Sequence, residues 1–237
     1  MAVHLIGGGW AADESTWTGR FLADAAARSD RTPQLAVVLW SQTAAEGEQW
    51  HDEYRADFAA LGPCTVRIVQ LTPERPLRAA DLHDVDGIFV GGGLTPGYYE
   101  AVMPAADAIR AAVADGVPYA GYSAGAMIAG DHALLGGWQV GGVSVCGEDS
   151  GEGLSEVSLA PGLGLVAPVV DVHTAQQGLL SRAVAIVAAG RACAVIAVDE
   201  CTSAIIADDL VPAGLGAVWL VDRTPGGVQV RRLTAAG

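Results

Sequence analysis

The feature that most constrains this chain is a serine between two glycines, where an apolar segment meets a helix-forming one. Residues 117–130 read VPYAGYSAGAMIAG, so Gly121, Ser123 and Gly125 form a G-x-S-x-G sequence. Glycines at these positions let the backbone turn sharply and lift the serine hydroxyl to the tip of the turn, beside a helix N-terminus. The N–H of Ala124 would point the same way and could help to hold an oxyanion. The alternative is a turn whose serine only caps the helix, and the pentapeptide alone does not decide between the two.

The order of apolar segments predicts a parallel sheet in the first half of the chain. Strands are predicted at 3–6, 34–40, 65–71, 86–90 and 118–122, and helices at 13–28, 44–61 and 98–114. Strands that alternate with helices at these spacings are typical of βαβ units. The second strand reads QLAVVLW, an apolar run expected when both faces of a strand are covered. This half therefore predicts an α/β fold with a mainly parallel sheet.

The character of the chain changes after the serine turn. Residues 136–164 are rich in glycine and acidic side chains, and they predict a long loop or small hairpins. A helix is predicted at 175–189, a hairpin turn at 224–227, and strands at 166–172, 192–198, 203–207, 217–221 and 228–233. Because no linker, repeat or low-complexity block interrupts the chain, residues 1–237 are predicted to form a single domain with a β-rich C-terminal part.

The composition argues against several partners. The formal net charge is -14 and all 13 basic residues are arginine, whereas binding to nucleic acid or an anionic membrane requires a basic face. The charge permits a cationic substrate without requiring one. No apolar run is long enough for a membrane span, and the N-terminus lacks the features of a signal peptide, so a cytoplasmic location is expected. The four cysteines are scattered, and no metal site, disulfide framework or cofactor is predicted.

Two glycine triplets, at 7–9 and 91–93, raise the question of dinucleotide binding. Neither is a G-x-G-x-x-G sequence followed by an acidic residue about 20 positions later, so this interpretation is disfavoured. The second triplet ends the strand that precedes the strand of Ser123, and both strands would end at the same edge of a parallel sheet. The N–H groups of Gly92 or Gly93 could therefore supply the second half of an oxyanion hole.

A serine nucleophile needs a base, and the base needs an acid that orients it. His173 is the candidate base, because it ends a predicted strand whose carboxyl edge could face Ser123. Glu200 also follows an apolar strand and is the predicted orienting acid, while Asp171 competes for that role from the same strand face as His173. The order serine, histidine, acid disfavours an α/β-hydrolase, in which the acid precedes the histidine. A class I glutamine amidotransferase is also disfavoured, because it would carry a cysteine at the turn and a His-x-Glu pair.

Five short motifs, in this order, resemble the peptidase E and cyanophycinase family. They are GGG at 91–93, GYSAGA at 121–126, GLGLV at 162–166, DVH at 171–173, and DE with a small residue at 199–201. The resemblance covers roughly residues 3–208 and implies a flavodoxin-like, three-layer α/β/α fold related to class I glutamine amidotransferases. It also implies a serine hydrolase that cleaves beside an acidic residue or at an aspartyl linkage. Ser123 would be the nucleophile, His173 the base and Glu200 the orienting acid.

The chain departs from the family at the positions expected to bind substrate. Family members usually place Asn or Gln after the glycines, where this chain has Leu94. They usually carry a series of arginines after the histidine, but the first two of these positions are Gln177 and Leu179 here, and only Arg182 is kept. A glutamine cannot reproduce the bidentate contact of an arginine with a carboxylate. We therefore expect Leu94, Gln177 and Arg182 to lie at the substrate, with the usual aspartyl specificity altered or lost.

These residues favour hydrolysis of an amide or peptide bond in a small substrate, through an acyl-enzyme on Ser123. If an amine replaced water as the acceptor, the same machinery would make an acyl transferase or cyclase. The missing arginines motivate an alternative from another class, a catalytically silent binding protein on the same fold. A homodimer is compatible with the resemblance, because related proteins often pair.

Overall fold

The computed structural model describes residues 2–28 and 30–235. The helices in these ranges are α1 (Thr18–Ala26), α2 (Ala44–Glu48), α3 (His51–Leu61), α4 (Thr95–Val102), α5 (Ala106–Ala114), α6 (Ala124–Met127) and α7 (Leu180–Ala188). The strands are β1 (Val3–Ile6), β2 (Gln34–Trp40), β3 (Thr65–Leu71), β4 (Gly87–Val90), β5 (Tyr119–Tyr122), β6 (His132–Gly136), β7 (Gln139–Val140), β8 (Val143–Ser144), β9 (Ser158–Pro161), β10 (Val169–Asp171), β11 (Ala194–Val198), β12 (Thr202–Ile206), β13 (Leu210–Gly214), β14 (Ala217–Thr224) and β15 (Gly227–Thr234).

A seven-stranded sheet, ordered β13-β12-β1-β5-β4-β2-β3, forms the centre of the molecule. The strands β1 to β5 run parallel to one another, and β12 and β13 continue the sheet antiparallel beyond β1. The mainly parallel sheet predicted from the sequence is thus confirmed. β1, β2 and β3 occupy the residues predicted for them, and β4 and β5 each begin one residue later than predicted.

Alternate residues of the parallel strands face opposite layers of the molecule. On one face, Leu35 and Val37 of β2 pack with Phe21 of α1 and Phe58 of α3. On the other face, Val38 belongs to a larger cluster that includes α4, α5 and a second sheet. The parallel sheet is therefore buried on both sides, as the continuous apolar sequence of β2 requires.

The second sheet, ordered β10-β11-β14-β15, confirms the β-rich C-terminal part. β10 runs parallel to β11, and β14 and β15 are antiparallel, joined by the hairpin predicted at 224–227. Its buried residues Val170, Val198 and Val218 belong to the same apolar cluster as Leu5 and Val38 of the first sheet. The two sheets therefore share one core.

Several predicted elements are shorter or divided in the structure. The helix predicted at 98–114 is divided into α4, which starts three residues earlier than predicted, and α5. A 3₁₀ turn at Met103–Ala105 separates them, because Pro104 has no N–H group to donate a helical hydrogen bond. The helix predicted at 44–61 consists of α2 and α3, and α2 contains Gly47, a poor helix former that packs against the Gln70 side chain. The strand predicted at 166–172 is only Val169–Asp171, and β13 was not predicted.

The adjacent parallel strands β1, β5 and β4 end at one edge of the first sheet. The first glycine triplet follows β1, Ser123 follows β5, and the second triplet follows β4. None of the helices among the described residues is both long enough and apolar enough to cross a lipid bilayer.

Candidate active site

Ser123 occupies a strained turn between β5 and α6. Its φ is 51° and its ψ is -109°, a conformation that is costly for a residue with a Cβ atom. Both neighbouring glycines are required by close contacts, because a Cβ atom at Gly121 would clash with the backbone of Gly125, and one at Gly125 would clash with the Val90 carbonyl oxygen. Because Gly121 and Gly125 have no side chain, the serine turn can pack directly against the end of β4.

Ser123, His173 and Glu200 are joined by consecutive hydrogen bonds. The Ser123 Oγ lies 2.9 Å from His173 Nε2, and His173 Nδ1 lies 2.8 Å from Glu200 Oε1. Because an ionised carboxylate only accepts hydrogen bonds, Glu200 favours the tautomer with hydrogen on Nδ1, which leaves Nε2 free to accept the serine proton. The structure therefore brings the three predicted catalytic side chains together.

Asp171, the competing candidate for orienting His173, has a different partner. Its carboxylate accepts two hydrogen bonds from Arg182, at 2.9 Å from Nε and 2.6 Å from Nη2. Arg182 Nη1 also donates to the carbonyl oxygens of Gly137 and Ser150, and the residue is 1% exposed. Burial opposes the charged guanidinium, but the Asp171 carboxylate raises the pKa of Arg182 above its ordinary value. These contacts give Arg182 a structural role, and because it also lines the cavity that contains Ser123, its predicted role at the substrate stays a prediction.

The first glycine triplet makes room for the side chains of His173 and Glu200. A Cβ atom at Gly8 would clash with the imidazole of His173, and one at Gly9 would lie 2.6 Å from the Glu200 Cβ. The backbone N–H of His173 donates to the Gly7 carbonyl at 3.1 Å, and that of Cys201 donates to the Gly8 carbonyl at 2.8 Å. This role was not predicted, although the triplet's position at the end of a parallel strand was a usable signal.

Asp199 is a second contributor that was not predicted. It is 4% exposed, and its carboxylate accepts hydrogen bonds from Ala175 N–H at 3.0 Å, Ala217 N–H at 2.9 Å and the Trp219 indole at 2.9 Å. The bond from Ala175 ties the loop after His173 to the turn before Glu200, and the other two bonds tie that turn to β14. Its position directly after an apolar strand was the only sequence signal.

Free backbone donors lie close to the serine. Among the described residues, the N–H groups of Gly92, Gly93 and Ala124 have no protein acceptor. Gly92 packs directly on Ser123, since a Cβ atom there would lie 2.9 Å from the serine Cβ. The Gly125 N–H donates to the Gly91 carbonyl at 3.1 Å and ties this loop to the serine turn. The predicted oxyanion groups are therefore beside Ser123 and available to a ligand.

A cavity of about 1060 Å³ opens above Ser123 and His173. Its carboxylates are Glu46, Asp149, Glu152 and Glu200, and its aromatic side chains are Trp10, Trp40, Trp50, Tyr54, Tyr98 and Tyr122. Gln177 lines the cavity as predicted for a substrate-binding residue, whereas Leu94 is 45% exposed at the N-cap of α4 and is not among the lining residues. Its neighbour Gly93 does line the cavity, so the predicted contact of Leu94 with substrate stays a prediction.

The thiol of Cys201, next to Glu200, is not activated. Burial, together with the charges of Glu14 and Glu200, raises the pKa of the Cys201 thiol above its ordinary value. The thiol therefore stays protonated at neutral pH, and the protonated form is not nucleophilic.

Comparisons with known proteins support a relationship to peptidases. The model of peptidase family S51 matches residues 29–211. Proteins named cyanophycinase from Trichormus variabilis and Nostoc sp. are each 34% identical over 177 residues, which is 70% of this chain and 56% of theirs. The chain thus spans little more than half the length of these curated relatives. A solved structure named for peptidase E, from Listeria monocytogenes, has a TM-score of 0.56 at 15% identity over 91% of this chain and 98% of its own, and it shares the fold.

Proposed function

This chain belongs to peptidase family S51, and we propose that it is a serine hydrolase that cleaves an amide or peptide bond in a small substrate. The observation that carries the proposal is the pair of hydrogen bonds that links Ser123 through His173 to Glu200. This arrangement is the one that activates a hydroxyl for attack on a carbonyl carbon.

The first step of the reaction forms a tetrahedral intermediate on Ser123. His173 Nε2 accepts the proton of the Ser123 hydroxyl while Oγ attacks the substrate carbonyl carbon, and Glu200 stabilises the resulting imidazolium through Nδ1–H. The N–H groups of Ala124 and of Gly92 or Gly93 would bind the oxyanion, and the loss of one such donor typically costs about 100- to 1000-fold in rate.

The later steps form the acyl-enzyme and release both products. His173 gives its proton to the leaving amine as the carbon–nitrogen bond breaks, which leaves the acyl-enzyme on Ser123. It then accepts a proton from the water that attacks the acyl-enzyme, and Ser123 regains its proton as the ester bond breaks.

We further propose that the aspartyl specificity implied by the family resemblance is altered. A substrate carboxylate would need a free cation, but the charge of Arg182 is paired with Asp171, and its Nη1 donates to two carbonyl oxygens. Gln177, which lines the cavity, is neutral. The remaining ionised groups of the cavity are carboxylates, which repel an acidic substrate side chain.

The test is covalent labelling of Ser123 by a fluorophosphonate, followed by intact-mass measurement. Wild type and Ser155→Ala, an exposed serine variant, should gain one adduct, and Ser123→Ala should gain none. A folded wild-type protein that never reacts would contradict the proposal and favour a silent binding protein. Incubation of the reactive protein with amide and peptide substrates, with and without added amines, would then distinguish hydrolysis from acyl transfer.

A further inference from the structure

We propose that Glu152 is a positioning residue, which holds the backbone N–H groups of Gly92 and Gly93 where they can bind an oxyanion. This inference rests on the proposed function, because it concerns the same reaction at Ser123. It is carried by the two hydrogen bonds that join the Glu152 carboxylate to Thr95, directly after the loop that contains the two glycines.

The loop after β4 is anchored at both ends. At its start, the Gly91 carbonyl accepts a hydrogen bond from the Gly125 N–H at 3.1 Å, which ties the loop to the serine turn. At its end, the buried Thr95 donates its backbone N–H and its hydroxyl to the two oxygens of Glu152, at 3.2 and 3.1 Å. The N–H groups of the two glycines in between have no protein acceptor among the described residues, so their direction depends on these anchors.

The loop has little else to fix its backbone. Gly93 has a φ of 145°, and glycine is the residue with the greatest conformational freedom. Leu94, which follows, is exposed. The only other acceptor near the Thr95 hydroxyl is the Met127 sulfur at 3.6 Å, which accepts weakly. Glu152 is therefore the main anchor at this end of the loop.

The same contact supplies the cap that α4 lacks. Leu94 is the N-cap residue and makes no side-chain hydrogen bond to the helix. A carboxylate at a helix N-terminus also interacts favourably with the helix dipole. Loss of the Glu152 carboxylate would leave a buried N–H and a buried hydroxyl unpaired, so the loop would shift to find new partners for them.

Glu152 is itself held firmly by its own segment. Its φ is 55°, a conformation that is costly for a residue with a Cβ atom. The residues before it are fixed, because the Gly151 carbonyl accepts from the Gly137 N–H at 2.9 Å and the Ser150 carbonyl accepts from Arg182 at 2.8 Å. A strained conformation persists only where such contacts enforce it. The carboxylate is thus directed at α4 by a rigid support.

The first measurement is the rate of Ser123 labelling by a fluorophosphonate, whose phosphoryl oxygen takes the place of the oxyanion. We expect Glu152→Leu to be labelled about 10- to 100-fold more slowly, because displacement of aligned groups carries costs of this order. Glu152→Gln, which keeps one acceptor oxygen, and Thr95→Val, which loses only the hydroxyl bond, should be intermediate. The pH at half-maximal labelling, set by His173, should be the same in the leucine and glutamine variants, since both remove the same charge.

Glu156→Leu is the matched control. Glu156 lies in the same segment, and its carboxylate also accepts two hydrogen bonds, but from the backbone N–H groups of Gly141 and Gly142 within that segment. It is exposed and does not line the cavity. Labelling of this variant should stay at the wild-type rate.

A second measurement does not depend on the reaction. The backbone amide NMR signals of Gly92 and Gly93 should shift in Glu152→Leu and keep their wild-type positions in Glu156→Leu. If Glu152→Leu does not fold, Glu152→Gln and Thr95→Val decide by the same two measurements.

Wild-type labelling of the Glu152 variants, an equal loss in Glu156→Leu, or unchanged glycine signals would overturn the inference and leave the proposed function standing. A folded wild-type protein that is never labelled contradicts the proposed function instead. The signals of Gly92 and Gly93 would then still decide whether Glu152 positions the loop.

Discussion

At the scale of single residues, the site is built where the backbone is strained. Ser123, His173 and Cys201 have φ values of 51° or 52°, in a region that residues with a Cβ atom rarely adopt. Such conformations persist only where the surrounding structure enforces them. Here backbone N–H groups hold all three residues, since Ser123 donates to the Ile6 carbonyl, His173 to that of Gly7 and Cys201 to that of Gly8.

The glycine triplet after β1 should therefore be essential for catalysis. In Gly8→Ala, the new methyl group would displace the His173 imidazole, and a shift of the base by about 1 Å is expected to slow labelling of Ser123 by roughly 100-fold. The measurement is the second-order rate constant for fluorophosphonate labelling.

Gly142→Ala is the matched control for this change. Gly142 has a φ of 76°, close to the 85° of Gly8, but nothing lies within 4 Å of its Cβ position. The backbone strain is therefore similar and the clash is absent, so labelling should stay at the wild-type rate. Equal rates in both variants would show that Gly8 does not position His173.

At the scale of elements, two neighbouring strands bring His173 and Glu200 together. β10 and β11 run parallel with Asp171 opposite Ala197, so the residues that follow them emerge at the same edge of the second sheet. Asp199 then joins the two segments through its hydrogen bond from Ala175, and its other two bonds attach them to β14. The helix α7 anchors the region from outside, because its Arg182 reaches β10 and the 137–150 segment.

The role of Arg182 can be tested through stability. Arg182→Met leaves Asp171 as an unpaired buried charge, and we expect the free energy of unfolding to fall by about 3–5 kcal/mol. The measurement is the urea unfolding midpoint. Arg231→Met, which removes a half-exposed ion pair with Asp222, should cost less than about 1 kcal/mol. An unchanged midpoint in Arg182→Met, together with a raised KM for acidic substrates, would restore the substrate-binding role.

At the scale of the whole molecule, both sheets contribute to one apolar cluster. Leu5 and Val38 of the first sheet and Val198 and Val218 of the second all belong to it. The seven-stranded sheet cannot lose the second sheet without exposing that cluster to water. Ser123 and His173 follow strands of different sheets, so the hydrogen bond between them depends on this packing.

The single domain predicted for the chain should appear in calorimetry. We expect one thermal transition whose calorimetric and van't Hoff enthalpies agree, because unfolding of either sheet exposes the core of the other. Loss of Ser123 labelling should follow the same transition. Two resolved transitions, or labelling lost well before the main one, would show that the sheets unfold separately.

The sequence by itself determined what depends on short-range signals. The apolar runs of β1, β2 and β3 predicted the first and last residue of each strand correctly, and the G-x-S-x-G sequence predicted the position of the serine turn. These signals suffice because strand periodicity and glycine conformation are properties of a few neighbouring residues. Ser123, His173 and Glu200 could be proposed together because each follows an apolar strand and parallel strands end at a common edge.

Only the tertiary structure decided which side chains meet. The pairing of Arg182 with Asp171, the room that Gly8 leaves for His173, and the three donors of Asp199 each join separate elements. Such contacts depend on the path of the whole chain, which no local pattern encodes. For the same reason, a motif position could not show that Arg182 is already paired and that Leu94 lies outside the cavity lining.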